Sequence, residues 1–544
     1  MVLKKIIALR QILPYLLVLV VGFFLFKSTI SSTSLYGDEW KTLWLGEAAI
    51  HNTGSIFQQP SMEFSYIFAT IIFHLIYKIA GFNSTYYYAF SFLTRLIAAI
   101  FFLLFLKNRG LSKISSFLGS MIFMISPVGI ETTDWAKNFD SYLGVALLLI
   151  LIPLSSRLKS LKSILIFLSL FTIAILVNTI RSPGIFIILG STMIAQLISQ
   201  RSKRTRRTYL YILIASGIIF ALLATTKLFG GQPSQVLENF SFLPFTKSLL
   251  GSIGVVFVPS RHILLNFLVV SFFLILWKRR VFAKAKFRNL SFSHLYLLAV
   301  LLVSYQILRK GASFYVFGLM GIFFASILIF SIYREFKEKA YKSLQSTITI
   351  FFLSFSPMLI PLIRIPQIHP LTEHRYLIIS ALVIPFIIAY TLDGFLKGRI
   401  NYNPTIWGLV LTLTTIFIVS LWIQSSHYLK LQASYHGTNY TNKVWSEITN
   451  SLQELDLNKT KVGIILLTKP QYEAQVFNSV YFGFGFHAGL IYNIWNENML
   501  PPSWLITSGA IDKSKIPSHV ITPDRKILVF EINGDKVTEK DIKF

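Results

Sequence analysis

The sequence predicts an all-α polytopic membrane protein of about thirteen transmembrane helices, followed by a small α/β domain outside the membrane. Of the 544 residues, 54% are hydrophobic and only 14% are charged, and the mean hydropathy is +0.62. Continuous apolar runs of about 17–25 residues, the length that crosses the hydrocarbon core, recur along most of the chain. Basic residues cluster in alternate loops between these runs, which is typical of cytoplasmic loops.

The first apolar run, from Ile12 to Phe26, follows Lys4, Lys5 and Arg10. Because no small-residue cleavage site follows the run, we expect a retained first span with a cytoplasmic N-terminus. If the basic loops are cytoplasmic, each even-numbered span must end at a basic loop, and this fixes the number of spans. The transmembrane domain is predicted to cover residues 1–423. The predicted spans are residues 11–30, 86–106, 112–130, 141–156, 162–180, 183–199, 208–228, 252–276, 291–309, 312–332, 345–363, 376–392 and 404–423.

One apolar stretch, from Phe64 to Ile79, does not count as a span in this scheme. It carries His74 and Lys78, and counting it would place every later basic loop outside the cell. We therefore predict an interfacial helix over residues 64–80, within a first outer loop of residues 31–85.

The remaining residues, 424–544, form the predicted extracytoplasmic α/β domain. Val462 to Thr468 and Lys526 to Ile532 have the pattern of buried strands. Apolar residues at helical spacing precede these strands: Trp445, Ile448, Leu452 and Leu455. Gly483 and Gly485 do not follow the order of a dinucleotide-binding fingerprint, so we assign them no cofactor.

The formal net charge of +28 and the absence of cysteine exclude several classes of function. Since Lys and Arg concentrate in alternate loops, we attribute the charge to topology and to anionic lipid headgroups, and we expect no nucleic-acid partner. Without cysteine, disulfides, thiolate catalysis and cysteine-ligated metals are excluded.

Two adjacent acids, Asp38 and Glu39, lie where the chain leaves the first span, among the aromatic residues Tyr36, Trp40 and Trp44. Transfer of a sugar to a hydroxyl needs a carboxylate that takes the proton, and an inverting transfer places it opposite the leaving phosphate. We predict Asp38 as this general base and Glu39 as a positioning or metal-binding neighbour. The alternative is a solvated pair of acids. Mg²⁺ or Mn²⁺ could bind here, but no ligand spacing is diagnostic.

The second outer loop, between the third and fourth predicted spans, combines acids with a tryptophan. The residues predicted to shape a sugar site are Glu131, Asp134, Trp135 and Asp140. Acids at a span boundary are costly unless they face water, partners or a site. The alternative is an ordinary acidic loop.

A third group precedes the twelfth predicted span. Its residues are Arg364, His369, His374, Arg375 and Tyr376. A lipid-phosphate donor needs cations near headgroup depth that hold the phosphate and ease its departure, and we assign this role to the two arginines with help from a histidine. The alternative is interfacial snorkelling. Arg181 and the intramembrane Arg95 are weaker candidates.

These three groups, in this order, resemble the GT-C superfamily of membrane glycosyltransferases, which use polyprenyl-phosphate-linked sugars. The Asp38-Glu39 pair is similar to the acidic motif of protein O-mannosyltransferases. Three stretches look like motifs of the branch with transmembrane tetratricopeptide-repeat O-mannosyltransferases: Gln59 to Leu106, Ser126 to Leu149 (matching at Pro127, Glu131, Trp135 and Asp140) and Glu373 to Ser380.

The chain also departs from that branch. Ser126 stands where the branch has a histidine, Arg95 stands where its second-span histidine is expected, and no tetratricopeptide repeats follow the membrane part. The resemblance implies a GT-C-like fold and a lipid-phosphate-sugar donor, and these departures leave the acceptor open.

Together these observations predict a glycosyltransferase that moves a sugar from a polyprenyl-phosphate-linked donor to an extracytoplasmic lipid, glycan or protein. The expected location is the plasma membrane of a prokaryote. The alternatives are a transporter or flippase of lipid-linked saccharides and a non-catalytic membrane scaffold. A transporter should carry polar residues along the interiors of its spans. The acids here gather on the predicted outer face, which favours the enzyme.

Overall fold

Helices dominate the structure, a computed structural model that describes residues 2–58, 67–158, 160–177, 181–199, 202–225, 242–259, 262–284, 286–287, 290–355, 374–397, 404–507 and 513–542. The α-helices are α1 (Val2–Ser32), α2 (Asp38–Thr53), α3 (Ile67–Ala80), α4 (Ser84–Asn108), α5 (Lys113–Ile125), α6 (Glu131–Asp134), α7 (Asp140–Ser155), α8 (Leu161–Val177), α9 (Ser182–Ser199), α10 (Lys203–Thr225), α11 (Phe242–Phe257), α12 (Ile263–Lys284), α13 (Phe292–Lys310), α14 (Phe314–Lys337), α15 (Tyr341–Phe355), α16 (Val383–Leu396), α17 (Pro404–Tyr435), α18 (Thr438–Gln453), α19 (Glu473–Val476) and α20 (Phe484–Ile491). The strands are β1 (Lys286–Phe287), β2 (Leu290–Ser291), β3 (Val462–Thr468), β4 (Ser503–Ile506), β5 (Lys526–Asn533) and β6 (Lys536–Lys540).

Length and composition make seven helices in the described part of the chain suitable for crossing a membrane. They are Ile12–Ser32, Ser84–Asn108, Ala136–Ser155, Ser182–Ser199, Thr205–Leu223, Phe314–Lys337 and Pro404–Tyr435. The mainly helical class with a small mixed sheet is thus confirmed. The count of about thirteen spans and the side on which each terminus lies stay predictions.

The chain divides into two compact units. The first contains Met1–Leu25, Leu93–Thr132 and Asp140–Ser426. The second contains Phe26–Phe92, Thr133–Phe139 and His427–Phe544. The predicted domain boundary between residues 423 and 424 stays a prediction.

In the first unit, α11 and α14 cross at two glycines. A Cβ at Gly254 would overlap the carbonyl of Phe317, and a Cβ at Gly321 would overlap the carbonyl of Leu250. Small residues at such crossings allow two backbones to approach closely, which is how helices associate in lipid. The glycines therefore set the spacing of this helix pair.

The buried Arg95 of α4 completes the hydrogen bonding at the end of α5. Its guanidinium donates to the carbonyl oxygens of Phe123, Met124 and Ser126 at 2.9–3.3 Å, and to the Tyr142 hydroxyl at 2.8 Å. The last carbonyls of a helix lack partners within the helix and attract cations. These contacts give the predicted functional candidate Arg95 a structural role.

We predict that Arg95→Lys lowers the free energy of unfolding by about 1–3 kcal/mol, because one ammonium cannot replace the guanidinium fork and leaves buried carbonyls unsatisfied. Thermal unfolding in detergent measures the loss. The matched control is Arg157→Lys at an exposed position, which should unfold like the wild type. Equal melting temperatures for Arg95→Lys and the control would contradict the structural role.

The second unit contains a four-stranded sheet in the order β4-β3-β5-β6. β3 pairs in parallel with β4 and β5, and β6 pairs antiparallel with β5. Along β3, Ile464 and Leu466 pack in one apolar cluster with Trp445 and Ile448 of α18, whereas Ile465 packs in a second cluster. Alternate residues of a strand point to opposite faces, so β3 is covered on both sides, as its continuous apolar run predicted.

The helix predicted to lie in the interface is present as α3, which packs against α2 in the second unit. His74 and Lys78, which set this stretch apart from a span in the sequence, both contact α2. His74 Nδ1 lies 2.6 Å and Lys78 Nζ 3.0 Å from the carboxylate of the buried Glu47. The predicted position of α3 at the membrane surface stays a prediction, and residues 64–66 of the predicted helix lie outside the described residues.

Candidate active site

Asp38 is the first residue of α2, where a carboxylate favours the positive end of the helix dipole. Its side chain is 37% exposed, and its Oδ2 lies 2.5 Å from Lys137 Nζ. Lys137 belongs to the short 3₁₀ helix Ala136–Phe139 and is only 7% exposed. The predicted base is therefore a partly exposed carboxylate that a buried cation holds in place.

Glu39, the next residue, is buried, whereas Asp38 is partly exposed. It is fully buried, and its Oε2 accepts hydrogen bonds from the Tyr36 backbone N–H at 3.0 Å and the Tyr88 hydroxyl at 3.2 Å. Burial raises the pKa of Glu39 to about 8, although the hydrogen bond from Tyr36 opposes this shift. Glu39 is thus mostly a neutral acid at pH 7 and anchors the turn that carries Asp38.

An aromatic stack lies beside this pair in the second unit. The ring of Tyr36 stacks on Trp135 at 5.8 Å and on His436 at 4.1 Å between centroids. Lys137 Nζ lies 5.0 Å from the Trp135 ring centroid, within range of a cation–π contact. Trp135 is only 7% exposed. Its predicted role in shaping a sugar site stays a prediction for a residue with little exposed surface.

His436 and Asp134 are both fully buried, with His436 Nε2 lying 4.0 Å from Asp134 Oδ2. Burial lowers the pKa of His436 to about 3, so the imidazole is neutral at pH 7. The buried position of Asp134 favours a role in shaping the loop over direct contact with a sugar.

In the first unit, the predicted residues Glu131 and Arg375 are in contact. Arg375 Nη1 lies 2.5 Å from Glu131 Oε1, and the Arg375 backbone N–H donates to Glu131 Oε2 at 3.1 Å. The carbonyl of Arg375 in turn accepts from Arg181 Nε and Nη2 at 3.1 and 2.7 Å. Burial opposes the charge of Arg375, but the Glu131 carboxylate raises the pKa of the guanidinium above its ordinary value. Arg375 therefore stays charged, with its backbone and side chain both fixed.

Both arginines of this cluster lie near Tyr376. The guanidinium carbon of Arg375 is 4.9 Å from the Tyr376 ring centroid, and that of Arg181 is 5.8 Å away. The side chain of Arg375 is 22% exposed, whereas Arg181 is 2% exposed. Arg375 is therefore the arginine of this cluster that a ligand can reach.

Asp140 is a buried residue at the start of α7, and its Oδ1 accepts a hydrogen bond from the Ser141 hydroxyl at 3.1 Å. Arg364 and His369 lie outside the described residues, as does the side chain of His374. The ligand-binding roles predicted for all these residues stay predictions.

No group of three or more His, Asp or Glu side chains with metal-binding geometry occurs in the part of the chain that the structure describes. The donor set around Asp38 also does not fit a divalent cation. Oδ2 already pairs with the ammonium of Lys137, and Glu39 is mostly protonated at pH 7 because its pKa is about 8. The predicted metal-binding role of Glu39 stays a prediction.

Sequence reasoning did not assign a role to Lys137 or His436. Lys137 had a usable signal, since it is the one basic residue between Asp134 and Asp140 in an acidic outer loop. His436 had none, because its contact with Tyr36 joins distant parts of the chain.

No protein family model and no curated protein matches the sequence. Among solved structures, the chain is similar to the Archaeoglobus fulgidus oligosaccharyltransferase in complex with Zn and sulfate, with 12% identity, a TM-score of 0.48, and coverage of 95% of this chain and 67% of that chain. It is also similar to the archaeal oligosaccharyltransferase AglB from Archaeoglobus fulgidus in complex with an inhibitory peptide and a dolichol-phosphate, with 13% identity, a TM-score of 0.45, and coverage of 88% and 63%. Both TM-scores are below 0.5, so the proposals below rest on the contacts of this chain.

The environment of Glu39 predicts a pH-dependent stability. Because burial raises the pKa of Glu39 from 4.5 to about 8, the folded state binds this proton more tightly than the unfolded state. The free energy of unfolding should therefore fall as the pH rises from about 4.5 to about 8. Glu39→Gln should reduce this fall and melt at a higher temperature than the wild type at pH 8.

Thermal unfolding in detergent at pH 5 and pH 8 measures both effects. Glu497→Gln, at an exposed position of the same unit, is the control and should keep the wild-type pH dependence. The same pH dependence in Glu39→Gln and the wild type would show that Glu39 does not titrate in this range.

Proposed function

We propose that this chain is an inverting glycosyltransferase that moves a sugar from a polyprenyl-phosphate-linked donor to an extracytoplasmic acceptor, with Asp38 as the general base. The observation that supports this proposal best is the exposure and hydrogen bonding of the Asp38 carboxylate. Its carboxylate is partly exposed and held through Oδ2 by Lys137, whereas Oδ1 has no hydrogen-bond partner among the described residues. A general base needs an accessible oxygen in a fixed orientation.

The neighbouring acids fit this role less well. Glu39 is buried and mostly protonated at pH 7, since its pKa is about 8. Asp134 is completely buried. A buried acid cannot reach the hydroxyl of an incoming acceptor, so Asp38 is the better base among the acids of the second unit's candidate site.

In the proposed reaction, the acceptor hydroxyl oxygen attacks the anomeric carbon of the donor sugar and its proton passes to Oδ1 of Asp38. The bond between the anomeric carbon and the phosphate oxygen breaks, and the lipid phosphate leaves with the electron pair. Attack opposite the leaving group inverts the configuration at the anomeric carbon. Lys137 holds the carboxylate throughout, and no step passes through a metal ion.

We assign recognition of the donor phosphate to Arg375. A guanidinium presents N–H groups in a fork that matches phosphate oxygens, and such charge-assisted hydrogen bonds are strong. Glu131 orients the Arg375 side chain, and Arg181 fixes its carbonyl. The remaining exposure of Arg375 gives a phosphate access to it.

We further propose that the protein lies in the plasma membrane of a prokaryote and that its acceptor is extracytoplasmic. The O-mannosyltransferase-like motifs support a protein, glycan or lipid acceptor without distinguishing among them. Glu131, Asp134, Trp135 and Asp140 then shape the outer loop from buried or half-buried positions.

Asp38→Asn tests the proposed base. The amide cannot take the acceptor proton, so transfer from a polyprenyl-phosphate sugar should fall by about 10²–10⁴-fold, while expression and melting temperature stay near those of the wild type. Formation of the glycosylated product in membranes from a strain carrying the variant measures the rate.

The control for Asp38→Asn is Asp535→Asn, which changes another exposed aspartate of the second unit paired with a lysine, Lys443, at 2.6 Å. It should transfer at the wild-type rate. Wild-type turnover by Asp38→Asn would refute the assignment. Movement of lipid-linked saccharide across vesicles by the wild type, with no glycosylated product, would instead favour a flippase.

Arg375→Gln tests the phosphate contact. Loss of the guanidinium should raise the KM for the lipid-phosphate donor by about 10–100-fold, as expected when a charge-assisted contact of about 1.5–3 kcal/mol is removed. The KM for the acceptor should change less than twofold. Initial rates with each substrate varied in turn measure both constants.

Arg334→Gln is the control for this variant, since it removes another half-buried arginine of the first unit that pairs with a glutamate, Glu338, at 3.2 Å. Its donor KM should equal that of the wild type. An unchanged donor KM in Arg375→Gln, with wild-type folding, would exclude the phosphate-binding role.

A further inference from the structure

One segment of the second unit, residues 482–495, contacts α2 along much of its length, and we call it the bracing segment. His487 stacks on Trp40 with 3.8 Å between ring centroids. Farther along α2, Trp44 Nε1 donates to the carbonyl of Ile494 at 2.8 Å. Near the end of the helix, Asn52 Nδ2 donates to the carbonyl of Trp495, also at 2.8 Å. The bracing segment therefore fixes the helix whose first residue is Asp38.

At the start of α2, Gly37 packs against Phe482 and Gly483 of the bracing segment. Gly37 has φ 55° and ψ −126°, a region that glycine enters far more readily than other residues. A Cβ on Gly37 would overlap the ring of Phe482. A Cβ on Gly483, which has φ 98°, would lie 2.5 Å from the Gly37 carbonyl oxygen. The backbone immediately before Asp38 therefore packs against Phe482 and Gly483 with no room for a side chain at either glycine.

The ring of His487 connects α2 with α18. It stacks on Trp40 and lies edge-on to Trp445, 3.9 Å between centroids. Its Nδ1 is buried without a hydrogen-bond partner in the described part of the chain. Burial lowers the pKa of His487 to about 3, so a neutral ring packs here at pH 7. The contribution of His487 is therefore ring packing between two tryptophans.

We propose that the bracing segment is a positioning element for Asp38 in the transfer reaction, and that Gly483 and His487 are its positioning residues. The catalytic part of this inference rests on the proposed function. A general base acts only when its oxygen lies within hydrogen-bond reach of the proton, and a displacement of 1 Å can reduce a rate by about 10²-fold. Neither residue needs to touch a substrate to have this effect.

Gly483→Ala tests the contact between the glycines. The added methyl group must displace the Gly37 carbonyl, so kcat should fall at least tenfold while the KM for the donor stays within twofold. The matched control is Gly485→Ala, whose Cβ would lie 2.9 Å from the Pro501 carbonyl oxygen and has its three nearest neighbouring atoms in Leu500 and Pro501, outside α2. An equal kcat for Gly483→Ala and Gly485→Ala would overturn the proposal.

The ring contact has its own test. His487→Leu removes the planar ring and should lower kcat, whereas His487→Phe keeps a ring between Trp40 and Trp445 and should restore most of it. If the two variants have equal melting temperatures, a loss of stability cannot explain a difference between their kcat values. Equal kcat values for His487→Leu, His487→Phe and the wild type would show that His487 is not a positioning residue.

A second measurement does not depend on the reaction. The chain contains no cysteine, so Asp38→Cys introduces a single thiol at the partly exposed position 38. Its rate of labelling by a water-soluble maleimide should change at least threefold when Gly483→Ala is added, and less than that with Gly485→Ala. Unchanged labelling would overturn the positioning role. Changed labelling, together with full transfer by Asp38→Asn, would show that the bracing segment positions residue 38 but that Asp38 is not the general base.

Discussion

The backbone of Gly37 constrains the start of α2, where the two acids of the candidate site lie. Its conformation, φ 55° and ψ −126°, places the two following carboxylates in different surroundings. Glu39 is buried where the Tyr36 N–H and the Tyr88 hydroxyl donate to it, and Asp38 remains partly exposed beside Lys137. Burial raises the pKa of Glu39 to about 8, because it disfavours the charged form, whereas Asp38 keeps access to solvent beside Lys137.

The cost of burying charge also explains the architecture of the first unit. The described contacts of Arg95 include the carbonyls of Phe123 and Ser126 at the end of α5, and Arg375 is paired with Glu131. A buried polar group without partners costs several times what a satisfied one contributes. The partial exposure of Arg375 separates it from Arg95 and makes it the better candidate for a ligand, although both are arginines in predicted membrane surroundings.

Features that depend on neighbouring residues could be predicted from the sequence, and features that join distant residues could not. The run from Val462 to Thr468 is β3, because a strand covered on both faces has its own apolar signature. The contact between Lys137 and Asp38 spans 99 residues, and no local pattern encodes it. Gly483 had no assigned meaning in the sequence, since its φ of 98° and its contact with Gly37 exist only in the folded chain.

The buried polar residues in the helices of the first unit bear on the choice between transferase and transporter. Lys278 of α12 and Glu335 of α14 pair at 2.7 Å, each about 3% exposed or less, and Thr347 of α15 also donates to Glu335 at 2.5 Å. Charges on a transport route must meet water or cargo from each side in turn. A pair satisfied within the helices is better explained as a fixed contact among α12, α14 and α15. Among the described charged side chains of the candidate sites, Asp38 and Arg375 keep the largest exposed fractions, 37% and 22%, as the proposed base and the proposed phosphate ligand each require.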